Sequence, residues 1–288
     1  MNYRHHFHAG NFADVVKHTL LVQLVRAMQR KEKGFLYLDT HAGRAVYDLT
    51  VAAQGDTLAR EPEWPAGIGR LFGAEALPAP LADYVTVVRE FDRQRGNGDA
   101  VPRFYPGSPW LVRRLTRPQD RLALCELHEE EYLALWHTLG RSEGVSVREL
   151  DGYTALRALL PPPERRALVL IDPPYEAQEE FARIVAGLGE GLRRAPAATF
   201  AIWYPLTERA RLDAFFDELA SLNLPPTWLV ELAVAGEASS LKMRGCGVVV
   251  VNPPWQLDLE VQPWLPVAAR LLAQAPGGTA SLRWLVPE

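Results

Sequence analysis

The stretch Ala167-Leu168-Val169-Leu170-Ile171-Asp172-Pro173-Pro174-Tyr175 decides how this chain is read. Five apolar residues in a row fit a strand buried on both faces, as in a parallel sheet. The strand runs into a carboxylate, two prolines and an aromatic ring. Each proline fixes φ at about −65° and lacks an N–H, and Pro173 restricts Asp172 to extended geometry. The result is a rigid turn that holds a carboxylate, a free backbone carbonyl and an aromatic face close together. A planar amino-purine or amino-pyrimidine suits such a turn. Its exocyclic NH2 can donate to the Asp172 side chain and the Pro173 carbonyl while Tyr175 stacks on the ring. Alternatively, Asp172 merely caps the next helix of a proline-rich loop.

Outward from this turn, short apolar runs alternate with helical patterns. Strands are expected at Phe35–Asp39, Leu122–Leu127, Val145–Glu149, Ala167–Asp172, Thr199–Tyr204, Trp228–Val234, Gly247–Asn252 and near Ser281–Val286. Helical patterns at Glu130–Leu139, Glu179–Arg194 and Thr207–Ser221 lie between them. That alternation predicts an α/β fold with a sheet covered on both faces. The long gap between Asp39 and Leu122 exceeds a simple crossover. Within it, Leu81–Asp92 and the shorter Glu61–Phe72 read as helices with proline-rich joints, so residues 49–115 are expected to form an inserted helical subdomain. Ahead of the first strand, Phe12–Arg30 reads as a helix. Asn11 is its N-cap, Asp14 reaches back, and Val15, Val16, Leu20, Leu24 and Met28 face the core.

Composition narrows the classes. The chain has 288 residues, 48% hydrophobic and 23% charged, with a net charge of −4, values of an ordered globular protein. No apolar run approaches the ~20 residues of a membrane span, and Met1–Gly10 does not fit a secretory signal. Two cysteines without a CxxC pair suit a reducing compartment, so a cytoplasmic protein is expected. Lysine supplies only positions 17, 31, 33 and 242 among 31 basic residues. Arginine is the better fork for phosphates, although codon bias gives the same composition.

The Asp172–Tyr175 tetrapeptide resembles the (D/N)PP(Y/F/W) signature of S-adenosylmethionine-dependent amino-methyltransferases. Further blocks are Tyr3-Arg4-His5, Phe7-His8-Ala9-Gly10-Asn11, Ala13-Asp14-Val15 and Lys17-His18, then Tyr37-Leu38-Asp39-Thr40-His41-Ala42-Gly43, Tyr105-Pro106-Gly107-Ser108-Pro109, Glu126-Leu127-His128 and Trp284–Glu288. In that order, end to end, they resemble the bacterial 23S rRNA adenine-N6 methyltransferase family RlmJ. The resemblance implies a Rossmann-like, seven-stranded mixed sheet, with residues 1–48 and 116–288 as the methyltransferase domain. It implies N6-methylation of an adenine in 23S rRNA with S-adenosylmethionine as donor, by a monomer without an obligate protein partner.

The same resemblance suggests roles. Asp172, Pro173, Pro174 and Tyr175 would be catalytic. His18, His41, Ser108, Glu126, Asp151, Gly152 and Asp172 would bind the cofactor, and Tyr3, Arg4 and Lys17 the RNA. By residue pattern alone several of these stay open. Only Gly43 remains of a glycine-rich turn, Glu126 also reads as an exposed strand-end acid, and Asp151-Gly152 equally reads as an Asp-Gly turn. From charge alone, further candidates for RNA phosphates are Arg89, Arg93 and Arg95 on the inserted helices and Lys242 and Arg244 in the polar segment Ser239–Gly245, each of which equally reads as a solvated surface charge.

A second turn, Asn252-Pro253-Pro254-Trp255, also fits the signature. It ends the seventh expected strand, which runs antiparallel in the known class, and is therefore expected to be structural. Other functions share parts of the pattern. The signature also serves DNA adenine and protein-glutamine methyltransferases. Five of seven histidines (His5, His6, His8, His18 and His41) fall early in the chain, as in a zinc or iron enzyme, but no HExxH supports one. An inactive methyltransferase fold that only binds RNA would have no use for a carboxylate aimed at an amino group.

Overall fold

The computed structural model describes residues 7–53, 61–206 and 208–288. Tyr3, Arg4, His5 and His6 lie outside them. The strands are β1 (Leu36–Asp39), β2 (Val46–Asp48), β3 (Phe104–Pro106), β4 (Arg121–Glu126), β5 (Val145–Glu149), β6 (Ala167–Ile171), β7 (Thr199–Pro205), β8 (Thr227–Ala233), β9 (Gly245–Val251) and β10 (Thr279–Val286). The helices are α1 (Phe12–Met28), α2 (Leu49–Ala53), α3 (Ile68–Phe72), α4 (Ala79–Gln94), α5 (Ser108–Leu115), α6 (Glu129–Leu139), α7 (Gly152–Leu159), α8 (Glu180–Arg194), α9 (Arg209–Ala220), α10 (Leu257–Val261) and α11 (Leu265–Leu272).

Eight strands form one sheet in the order β10-β8-β9-β7-β6-β1-β4-β5. β5, β4, β1, β6 and β7 are parallel. β9 runs antiparallel to both neighbours, so β8 points with the parallel strands and β10 against them. The architecture is the expected α/β methyltransferase-like one, with eight strands rather than seven. The additional strand is the edge β10, which keeps Thr279, Ser281 and Arg283 exposed while Ala280, Leu282 and Trp284 pack on the core.

Period-2 alternation along the strands divides the core into two layers. Tyr37, Leu124, Leu168, Leu170 and Val250 face one side, with α1, α4, α5, α6 and α11. Leu38, Val169, Ile171 and Ile202 face the other, with α7, α8 and α9. The first layer differs from expectation in one respect. α1 is buried all round except at Arg26, not only along its apolar stripe. The sheet lies on one side of it, and α4, α5 and α10 close the others. That enclosure takes Lys17, His18 and Gln23 out of water.

Residues 49–115 leave the sheet after β2 and return through β3. These two strands pair as an antiparallel ribbon, Val46 opposite Pro106 and Asp48 opposite Phe104. α4 packs on α1, and its Leu81, Tyr84 and Val88 join the same core. α5 lies against α1 and β1 and leads back toward β4. Among the described residues no helix is long and apolar enough to cross a membrane.

Candidate active site

β1 has β4 on one side and β6 on the other, both parallel to it. The chain therefore changes direction of travel across the sheet at β1. In open parallel sheets the crevice beyond the carboxyl ends at such a point is where ligands bind. Asp39 ends β1 opposite Leu170, and Asp172 stands two residues further along the neighbouring strand. Two carboxylates thus meet at this end of the sheet.

Asp172 is held from the helix side. The Lys17 ammonium lies 2.6 Å from Asp172 Oδ2 and 2.7 Å from Asp14 Oδ1, and Lys17 is only 7% exposed. Burial alone would lower the Lys17 pKa, but the two carboxylates outweigh it and hold the ammonium well above its ordinary value. This corrects the expectation that Lys17 contacts RNA phosphates: its charge is enclosed and already engaged by two acids. Asp14 is itself fixed, because its Oδ2 accepts the Gly10 N–H at 2.9 Å. Asn11 caps α1 as expected, accepting from Asp14 N. Asp14 reaches back one residue beyond the cap, since the Asn11 N–H goes to the His8 carbonyl. The Pro173 carbonyl accepts no hydrogen bond from the described residues.

Asp39 is fully buried. Its Oδ2 accepts from both the Tyr37 hydroxyl and Ser108 Oγ, each at 2.7 Å. Burial pushes its pKa up to about 6, although those two hydrogen bonds pull the other way. Ser108, at the start of α5, is thereby committed as a donor to Asp39 and offers only lone pairs to a ligand.

The turn after β1 carries Thr40, His41 and Gly43. The Thr40 hydroxyl donates to the Leu170 carbonyl at 3.0 Å, so its contact with His41 Nδ1 at 2.8 Å takes the imidazole N–H as donor. His41 Nε2 is then a bare acceptor. Burial lowers the His41 pKa to about 4 despite the nearby Asp172 and Asp151, which keeps the ring neutral. Gly43 has φ +61°, a turn geometry that favours glycine, and its N–H donates to Glu126 Oε2 at 2.8 Å.

Glu126, ending β4, also accepts from the Leu127 and His128 N–H groups at 2.8 Å. Three backbone donors fix the carboxylate, which retains acceptor capacity for a ribose hydroxyl. Leu127 beside it is 59% exposed, an apolar side chain at the rim of the crevice. Asp151 is the N-cap of α7, accepting from Thr154 N at 2.8 Å and pairing with Arg183 at 3.0 Å. Burial would raise its carboxyl, but those partners hold it below the usual range. A Cβ on Gly152 would fall 2.2 Å from the Thr40 carbonyl, so α7 reaches the β1 turn only because this residue is glycine.

Tyr175 takes a left-handed backbone, φ 53°, and its hydroxyl donates to the Trp203 carbonyl at 2.6 Å. The ring is half-buried against Phe181 and Trp203 and stands beside Asp172 as a wall of fixed orientation. His18 is buried, with Nδ1 2.7 Å from the Tyr105 hydroxyl, which in turn meets that of Tyr84 at 2.6 Å. It thus joins α1 to α4 and β3, one residue from Lys17.

Asn252 occupies the opposite end of the sheet, as its strand direction demands. Its amide donates to the Pro196 and Ala198 carbonyls at 2.8 and 3.0 Å, and its own carbonyl accepts from Thr199. The early histidines diverge as well: His8 pairs with Glu63, His18 with Tyr105 and His41 with Thr40. Among the described residues no group of three or more His, Cys, Asp or Glu is placed to hold a metal ion.

Three residues outside the expected set belong to this site: Asp14, Asp39 and Leu127. Asp39 was visible as a polar residue ending a buried strand. Asp14 reads as a capping residue, and its pairing with Lys17 at i,i+3 is local; the fold adds Asp172 to the same ammonium.

The arrangement joins a clamped carboxylate, a carbonyl without a partner among the described residues and a set of fixed acceptors at the switch point of a parallel sheet. A family model described as ribosomal RNA large subunit methyltransferase D, RlmJ, matches residues 32–286. The chain is 38% identical to ribosomal RNA large subunit methyltransferase J of Escherichia coli (strain K12) and 37% identical to the protein of that name from Haemophilus influenzae. Both alignments cover the whole of each chain. A crystal structure of a protein from Legionella pneumophila superimposes with a TM-score of 0.85 at 33% identity, covering 98% of this chain and 99% of that one. Motif order, sheet topology and full-length similarity agree: the chain belongs to the RlmJ family of ribosomal RNA large subunit methyltransferases.

Proposed function

We propose that this protein transfers a methyl group from S-adenosylmethionine to N6 of an adenine in 23S ribosomal RNA. The observation that carries the proposal is the Asp172 carboxylate, clamped through Oδ2 by Lys17 beside the free Pro173 carbonyl. Family membership favours this chemistry over the metalloenzyme alternative.

The residues fit the donor. Glu126 suits ribose hydroxyls, while neutral His41, the Asp151-Gly152 turn and Leu127 suit its adenine. The anionic end formed by Asp39 and Asp172 suits a sulfonium and an ammonium. His18 and Ser108 complete the group by family resemblance. When bound, S-adenosylmethionine supplies a methyl group that needs no further activation.

The chain's own residues supply orientation. An adenine N6 lone pair is delocalised into the ring and nucleophilically weak. Asp172 and the Pro173 carbonyl accept the two N6 hydrogens, which draws the nitrogen toward tetrahedral geometry and localises the pair. Lys17 keeps Asp172 in one rotamer, so Oδ1 is the oxygen left for the substrate. Asp172 also accepts the proton that N6 loses. Positioning and preorganised charge carry most of the barrier reduction. Unstacking the base costs a few kcal/mol, and stacking against Tyr175 offsets about 1–3 kcal/mol of it. Tyr3 and Arg4 are proposed at the substrate, outside the described residues.

Transfer from labelled donor to naked 23S rRNA, assembled large subunits, DNA and protein in parallel tests the proposal. Label in rRNA alone supports it. Label in DNA or protein with none in rRNA refutes it.

A further inference from the structure

The loop joining β8 to β9 spans residues 234–244, long for an antiparallel connection, where two to five residues suffice. Compact surface loops of about 6–16 residues whose ends lie close together are frequently functional. β8 points with the parallel strands, so this loop leaves the same end of the sheet as Asp172. Its base is anchored: Gly245 O accepts from Leu206 N at the exit of β7, and Val234 N donates to Arg244 O. β7 carries Trp203, whose carbonyl fixes Tyr175. Cys246, the second residue of β9, stands between Pro205 of β7 and Leu232 of β8 at this end of the sheet. Gly236 and Val234 also bond to residues 274–276, and Met243 packs on the core, so the loop stands on a fixed platform.

Its cations are unlike the others around the crevice. Lys17 is engaged by Asp14 and Asp172, Arg44 by Glu131, Arg183 by Asp151 and Arg209 by Asp213. The Lys242 and Arg244 side chains have no ion-pair or hydrogen-bond partner among the described residues, and Lys242 is exposed. The loop holds one acid, Glu237, so its own balance is positive. On the inserted helix Arg89 donates to the Phe72 carbonyl and lies over its ring and Arg95 lies over Phe91, which leaves Arg93 as its exposed cation.

We infer that the β8–β9 loop grips the phosphates flanking the target adenine through Lys242 and Arg244. This rests on the proposed RNA substrate and names the face that receives it. Unengaged cations at the catalytic end supply attraction without breaking an existing ion pair, and phosphate contacts position a strand without reading sequence.

The test compares the wild type with Lys242→Gln/Arg244→Gln and with Lys31→Gln/Lys33→Gln, a pair in the segment that enters β1 at the opposite end of the sheet. Binding to a naked 23S rRNA transcript is titrated against salt. The loop variant should bind about tenfold more weakly and lose about 1.4 from the log–log salt slope, two contacts' worth. Its affinity for S-adenosylmethionine and its melting temperature should be unchanged. The control pair should bind as the wild type does. A single Lys242→Glu should weaken binding further than Lys242→Gln, which keeps the test open if the double variant folds poorly. An unchanged slope in the loop variants, with a wild type that methylates rRNA, overturns the inference alone. A wild type that neither binds nor methylates rRNA overturns the function on which it rests.

Discussion

Asp172-Pro173-Pro174-Tyr175 and Asn252-Pro253-Pro254-Trp255 are nearly the same peptide at opposite ends of one sheet. Each follows a buried apolar strand, and each contains a left-handed residue, Tyr175 at φ 53° and Asn252 at φ 50°. Their polar groups do different things. Asp172 meets a buried ammonium and keeps Oδ1 and a neighbouring carbonyl for a ligand. Asn252 has spent its amide on Pro196 and Ala198, its carbonyl on Thr199 and its N–H on the Pro226 carbonyl. Tyr175 is pinned as a wall, whereas Trp255 is 67% exposed. Strand direction separates them: β6 delivers its turn to the switch point, and antiparallel β9 delivers its turn to the opposite end of the sheet. A short motif thus acquires function from the end of the sheet it occupies.

Substitutions at the two turns and their supports should separate accordingly. The largest effect is expected at Lys17. Lys17→Met leaves Asp14 and Asp172 buried without their cation and should cost about 3–5 kcal/mol in urea unfolding, together with turnover. A variant as stable as the wild type would show that the clamp is unimportant. Asp172→Ala should lower kcat by about 10²–10³-fold without unfolding the protein, because Lys17 retains Asp14. Asp172→Asn with near-normal turnover would remove the carboxylate's role as proton acceptor.

Asp39 sharpens the comparison from within the catalytic end. Its folded pKa of about 6 lies above the ordinary 3.8, so the folded state binds its proton more tightly than the unfolded chain does. That contribution is present at low pH and lost as pH rises from about 4 to 6, roughly 3 kcal/mol in all. His41, lowered to about 4, acts in the opposite sense: its neutral folded form gains stability as pH rises through the same window. Asp39→Asn should therefore stabilise the free protein at neutral pH, with the gain shrinking toward pH 4, while weakening donor binding. A pH-independent difference in melting temperature would contradict this. Asn252→Ala should show the smallest effect, about 2 kcal/mol of stability from lost hydrogen bonds and a strained φ. Turnover of the folded variant should be unchanged, and a catalytic defect there would break the distinction between the turns.

Much of this was legible in the sequence because it rests on local pattern. Eight apolar runs marked eight strands, and the Asp-Pro-Pro-Tyr turn followed one of them. Choosing between the two turns needed only the order of strands. What sequence hid depends on distant residues. Lys17 looked like a surface cation because a helical pattern does not show that α1 is enclosed on every side. Asp14 and Lys17 are neighbours at i,i+3 on α1, but the part the pair plays depends on Asp172, far along the chain. Asp39 looked like part of a cofactor turn, and its burial between Tyr37 and Ser108 required β3 and α5 to fold back over β1.

The central claim is that the turn at the switch point holds adenine N6 for methyl transfer. Nucleoside analysis by mass spectrometry, after 23S rRNA is incubated with the protein and S-adenosylmethionine, tests it most directly. N6-methyladenosine should accumulate with the wild type and with Asn252→Ala, and be lost with Asp172→Ala. Methylation at another atom, or N6-methyladenosine formed as readily by Asp172→Ala, would contradict it.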